Sequence, residues 1–198
     1  MTTEDEVSKN ENLKLTVVTP QAIAAYAFVQ RPRPALNPNS PPQYSVTLLF
    51  DKNDPKVMEG VKAMRQVAMN AARKKFGDLV PRGLRSPFRD GDAEKPDDPM
   101  FANKIFVQAK SNEKPGIVDA NREALFDPND FYSGCLCRAS LYAFGYDNSG
   151  NRGVSFLLNN LQKLDDGNRM SGRRAAEDDF EAWSDGSGSR SQGVDDLL

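Results

Sequence analysis

Between Cys137 and Tyr146 the chain reads CRASLYAFGY, and its two sets of alternate residues are chemically opposed. Cys137, Ala139, Leu141, Ala143 and Gly145 are small or apolar, whereas Arg138, Ser140, Tyr142, Phe144 and Tyr146 carry a guanidinium, a hydroxyl and three rings. Alternation of period two belongs to a strand, whose successive side chains point to opposite faces. A face of small apolar side chains suits the interior of a tight barrel. Thirteen prolines and fourteen glycines in 198 residues agree, arguing for loops and short strands rather than a helical bundle.

The rest of the chain fits around that strand. Residues 13–30 read as extended segments interrupted at Pro20, and the proline-dense RPRPALNPNSPP that follows reads as a loop. YSVTLLF, residues 44–50, is a strand by its β-branched and aromatic content. The stretch from Asp51 to Gly77 predicts one helix, with Asp54 as cap, Pro55 in the first turn and Gly77 at the exit. Val57, Val61, Met64, Ala68 and Ala71 form its buried stripe. Residues 78–103 look like loop, and KIFVQAK, residues 104–110, is a half-buried strand. Two further strands are expected at about 135–146 and 153–161, joined through DNSG by a connection longer than two residues. The whole predicts a mainly β fold with an inserted helix, arranged as a small mixed barrel.

Charge is partitioned along the chain. Residues 1–12 carry a net −3 and residues 175–198 a net −6, while 13–174 carry 24 basic and 17 acidic groups, a net +7. A basic body between acidic ends attracts polyanions more than the overall −2 suggests. Three units follow: an acidic flexible terminus at 1–12, a folded domain at 13–174, and a polar Gly/Ser-rich tail at 175–198 expected to be disordered. The acidic start and the lack of a long apolar run predict a cytoplasmic protein without a membrane span. There is no histidine, so His-dependent catalysis is excluded. Cys135 and Cys137 are the only cysteines and read as two small buried side chains, leaving no metal site or cofactor to expect.

Rings and cations recur together on the predicted outer faces. Arg138, Tyr142, Phe144 and Tyr146 share one face of the alternating strand; Lys104, Phe106 and Lys110 share one face of the strand before it. Tyr26 and Phe28 precede Arg31 and Arg33, and Arg82, Arg85 and Arg89 surround Phe88. Arg73 and Lys74 lie off the helix stripe, where they also complement the helix dipole. Rings that stack on bases beside cations that follow phosphates are the chemistry of single-strand binding. Tyr142 and Phe144 could equally pack beneath the helix, and composition leaves both readings open; Phe106 is the better candidate for exposure. Asp90, Asp92, Asp97 and Asp98 are read as a polar loop rather than a nuclease metal site, so no catalysis is expected.

FYSGC at 131–135, the alternating strand after it, YDNSGNRGVSFLLNNLQKLDDG and the earlier YSVTLLFDKNDPKV resemble the bacteriophage single-stranded DNA-binding protein family with an OB-type fold. A looser similarity, through TPQAIAAYAFVQRPRP and the acidic terminus, extends to replication single-strand binders of short-tailed phages. The resemblance implies an OB-type barrel that coats unpaired DNA during phage replication or recombination in the cytoplasm of the infected bacterial host. It also implies an acidic tail that recruits phage or host replication proteins and competes with DNA; Phe180, Trp183, Asp195, Asp196, Leu197 and Leu198 are the tail's candidate contacts. The tail ends DDLL, where the short-tailed phage proteins end in an aromatic residue. Binding to duplex DNA as well, in annealing, is the rival reading within the class; a scaffold protein that binds no DNA is the rival outside it. Homodimer formation is a further expectation.

Overall fold

The computed structural model describes residues 13–34 and 41–170. Its long helix, α1, spans Pro55–Phe76 and is set by the signals expected of it. The Asp54 side chain accepts the N–H groups of Lys56 and Val57, satisfying two donors that the first turn leaves free. Gly77 ends the helix at φ 84°, with its N–H on the Arg73 carbonyl. Val57, Val61, Met64, Val67, Ala68, Ala71 and Ala72 form the buried face.

The strands are β1 (Thr16–Val18), β2 (Ala22–Arg33), β3 (Gln43–Asp51), β4 (Phe88–Asp90), β5 (Lys104–Ser111), β6 (Gly116–Val118), β7 (Leu136–Asn148) and β8 (Asn151–Asp165). They form one mixed sheet in the order β1-β7-β2-β3-β5-β8-β6, with β4 added on β5 and a further pairing between β7 and β8. Helix α1 is inserted between β3 and β5. Most pairs are antiparallel, but β5 and β6 run parallel to β8. The main core gathers one face of each strand, including Val46, Leu48, Val107, Ala139, Leu141, Phe156 and Leu158, against the α1 stripe. The small residues Cys137, Ala139 and Ala143 are buried there as the alternation of β7 requires, and Cys135, just before the strand, is buried with them. Both thiols are free, and burial raises the pKa of each, so they are poor nucleophiles.

Three expectations need correction. The proline-rich segment after Gln30 is not all loop, because β2 continues through Arg31 and Pro32 to Arg33. Residues 78–103 are not unstructured: they hold β4, a short helix α2 (Gly91–Glu94) and a 3-10 turn (Pro99–Phe101), each helical piece capped by an aspartate. The β7–β8 connection is a two-residue turn, since Asn148 pairs with Asn151. Ser149 and Gly150 both have positive φ, as the tight primed hairpin turns need. The tail residues Phe180, Trp183, Asp195, Asp196, Leu197 and Leu198, like residues 1–12, lie outside the described residues.

The FYSGC stretch anchors β2. Phe131 is buried, the Ser133 hydroxyl accepts the Ala27 N–H at 3.0 Å, and Gly134 donates its N–H to the Ala24 carbonyl at 2.7 Å. Gly134 sits at φ 116°, and a Cβ there would lie 1.9 Å from the Asn168 carbonyl oxygen. Only glycine suits that close approach. These bonds flank a bulge: β2 pairs Ala25 with Thr47 but Phe28 with Ser45, placing one extra residue on β2. Tyr26 takes up the kink at φ 46°.

Candidate nucleic-acid interface

The bulge turns Tyr26 outward. Its side chain is 48% exposed, and its ring stacks on Phe101 with centroids 6.4 Å apart and planes 24° apart. A tyrosine in the left-handed region is an uncommon backbone state, and the core does not require this exposed ring. Two residues on, Phe28 is half-buried, and the Arg33 guanidinium lies 4.3 Å from its ring centre. Arg31 and Arg33 are both exposed.

Strand register extends the surface across the sheet. Phe28 pairs with Ser45, Ser45 with Lys110, Lys110 with Leu157, and Leu157 with Tyr142. The neighbours Val46, Ala109, Phe156, Ala143 and Leu141 point into the core, so this row takes the opposite face, although Tyr142 at its end also packs against the core. Lys110 and Leu157 are exposed, while Phe28, Ser45 and Tyr142 are half-buried. With strands ~4.8 Å apart, four steps carry the row roughly 19 Å, long enough for several nucleotides.

A second cluster begins where the row ends. Lys74 and Lys75 at the C-terminal end of α1 line a shallow depression with Leu15, Tyr142 and Phe144. Phe144 and Tyr146 are neighbours, with ring centres 6.5 Å apart. The Tyr146 ring lies across its partner Gly153, where an added Cβ would come within 2.6 Å of the phenol oxygen. Beyond it Arg82, Arg85 and Arg152 surround a second depression between the 81–85 loop and the β7–β8 turn. The structure thus places Lys74, Tyr142, Phe144, Tyr146, Arg82 and Arg85 along one edge. Arg73 is exposed on α1 but lines neither depression.

Other candidates have different roles. Phe106 faces away from the main core as expected but is only 3% exposed, because Phe101 covers it edge-on at 4.9 Å. Ala25 and Leu49 complete that small second core, and the Arg89 guanidinium closes over Phe106 at 4.8 Å while pairing with Glu94. The 3-10 turn that delivers Phe101 was not foreseen, so the exposure expected of Phe106 is corrected. Lys104 is bonded to Asp51 at 2.7 Å, with its side chain 15% exposed, and is not free for phosphate. That lysine holds the Asp51 carboxyl below its ordinary range. Phe88 packs edge-on against Phe156 at 5.8 Å with Arg65 over it at 5.2 Å, rather than standing among free cations. Arg138 is exposed but tethered to Gln162 at 2.7 Å, four residues along β7 from Tyr142. Asp90 and Asp92 grip Lys52, the latter at 2.7 Å, and this keeps both carboxyls low and the lysine amine high. Among the described residues no group of three or more acidic, Cys or His side chains is placed to hold a metal ion.

Three contributors escaped sequence reading. Lys75 sits in the last turn of α1, where the helix dipole alone explains a cation, and Leu157 sits in an apolar run where its outward parity shows only from the β8 register. Arg152 follows a turn whose tightness was misjudged.

A family model described as Enterobacter phage Enc34, ssDNA-binding protein, matches residues 15–190. The chain belongs to this family. A protein of Acyrthosiphon pisum secondary endosymbiont phage 1, named p50, is 27% identical over 137 residues, covering 66% of this chain and 73% of that protein. The single-stranded DNA-binding protein from bacteriophage Enc34, solved in complex with ssDNA, superposes with a TM-score of 0.68 at 21% identity. That match covers 79% of this chain and 89% of the other. The gp2.5 single-stranded DNA-binding protein of bacteriophage T7 gives a TM-score of 0.55 at 16% identity, covering 82% and 98% of the two chains. At these identities the two solved structures share the fold with this family member.

Proposed function

We propose that this chain is a non-catalytic single-stranded DNA-binding protein built on an OB-type barrel, acting in phage replication or recombination. The barrel reading rests on the pairing circuit β2–β3–β5–β8–β7, which returns to β2. The observation that carries the function is the outward row Phe28, Ser45, Lys110, Leu157 and Tyr142, flanked at one end by Tyr26, Arg31 and Arg33 and at the other by Lys74 and Lys75. Rings on this face stack on unpaired bases, each stack contributing about 1–3 kcal/mol with little sequence preference. Cations beside them neutralise phosphates and release condensed counterions. A surface that prefers exposed base faces binds unpaired strands more tightly than duplex and shifts melting toward single strands by mass action. Residues 13–174 form the binding domain in this reading, and the acidic 175–198 segment competes with DNA and engages replication proteins in the host cytoplasm.

Fluorescence anisotropy with single-stranded and duplex oligonucleotides of equal length tests this. Tighter binding to the single strand is expected. Equal affinity for both would assign the chain to general DNA binding, and no binding at low salt would remove the proposal.

A further inference from the structure

Phe126 is 85% exposed, yet it is not on a loose segment. Immediately before it, Leu125 donates its N–H to the Ile117 carbonyl at 2.9 Å. Immediately after it, the Asp127 carboxylate accepts the Asn129 N–H at 2.8 Å, and the Asp127 carbonyl accepts from Asp130. The backbone on both sides is held, so the ring is a knob that docks with little further loss of backbone freedom. Its surroundings are acidic: residues 113–130 hold five carboxylates and two cations, and Glu123 and Asp127 beside the ring are exposed.

The complementary shape lies elsewhere on the molecule. Met69, Val80, Leu84 and Phe88 line an open apolar groove of about 370 Å³ between α1 and the 80–88 segment, and its only charged lining residues are Arg65 and Arg85. Met69 is 45% exposed there. Knob and groove sit toward opposite ends of β8: the knob's loop is held through Ile117 by Leu161, whereas Val154 lines the groove. Seven residues of strand separate them by roughly 23 Å, so a single molecule cannot fill its own groove.

We propose that Phe126 of one copy seats in the Met69–Phe88 groove of the next, with the carboxylates beside the ring meeting Arg65 and Arg85. Two different patches in contact make a head-to-tail interface, which propagates as an open chain rather than closing as a two-fold dimer. A linear array of copies is what a linear ligand can template. One ring in a groove is a small contact, so it takes effect when a DNA strand holds two copies side by side at high effective concentration. This inference rests on the single-strand reading above.

The test compares full-length protein on an oligothymidylate long enough for one copy with one long enough for two, using the ratio of second-copy to first-copy affinity as the coupling. Phe126→Ala should lower the coupling about tenfold while leaving binding to the short strand unchanged. Asp127→Arg and Arg65→Glu should each weaken coupling, and the two together in one chain should restore it. Coupling that is absent from the wild type, or untouched by Phe126→Ala, overturns the proposal. Loss of coupling on removing 175–198 with Phe126→Ala silent assigns the groove to the tail and also overturns it. Failure of the wild type to bind the short strand instead defeats the single-strand reading.

Discussion

Tyr26 and Phe106 are both aromatic residues on the same outer face, and the structure gives them opposite fates. Replacing Phe106, 3% exposed beneath Phe101, should cost about 3–5 kcal/mol of stability through lost burial and a cavity. Tyr26 is 48% exposed and touches the fold through its stack on Phe101. Half of a burial gain of about 1.5–3 kcal/mol, plus an aromatic pair of about 0.5–1.5 kcal/mol, sets the loss for Tyr26→Ala near 1–3 kcal/mol. Its effect on DNA should be of similar size: one lost base stack of about 1–3 kcal/mol weakens binding roughly 5- to 150-fold. Tyr26→Gly separates the two roles further. Glycine accepts φ 46° without strain, so it should recover part of the stability lost by alanine while recovering none of the affinity. Urea unfolding followed by circular dichroism gives the stabilities, and anisotropy with labelled oligothymidylate gives the affinities. Folded Tyr26→Ala with wild-type affinity would refute the stacking role. A stability loss as large as that of Phe106→Ala would show the ring to be structural.

The α1 cations give a second outcome. Lys74→Ala with Lys75→Ala should flatten the dependence of log affinity on log salt by about 0.7 for each phosphate contact removed, read from anisotropy across a monovalent-salt series. Gly134→Ala should destabilise the fold by at least about 1–3 kcal/mol through its positive φ, and by more if Asn168 cannot move, measured by denaturant unfolding. Removing residues 175–198, which carry a net −6, should tighten DNA binding most at low salt; equal affinity of the full and shortened chains at two salt concentrations would leave the tail no competing role.

Local chemistry made much of this fold readable in advance. The cap, first-turn proline and terminal glycine of α1 act over a few residues, and all three behave as their sequence context predicts. The inward residues of β7 were legible because alternation needs no knowledge of partners. What escaped depends on contacts distant in sequence. Phe106 showed the outward parity of its strand, but Phe101 from a short 3-10 turn covers it, and no periodicity announces a three-residue lid. Lys104 looked like a phosphate ligand until β3 brought Asp51 opposite it. Tyr26 was chosen from an alternating pair with Phe28; its exposure instead comes from a bulge, braced by Ser133 more than 100 residues away. The ring row across five strands is a product of register, which sequence spacing alone does not set.

On this reading unpaired bases lie on the outward row from Tyr26 and Phe28 through Lys110 and Leu157 to Tyr142. Photocrosslinking of the full chain to oligonucleotides carrying 5-iododeoxyuridine, with the attachment sites read by mass spectrometry, tests it most directly. Adducts are expected at Tyr26, Phe28 and Tyr142, competed by unlabelled single strands and absent from Phe106, which Phe101 covers. Adducts confined to residues off this row, with none at those three rings, would contradict it.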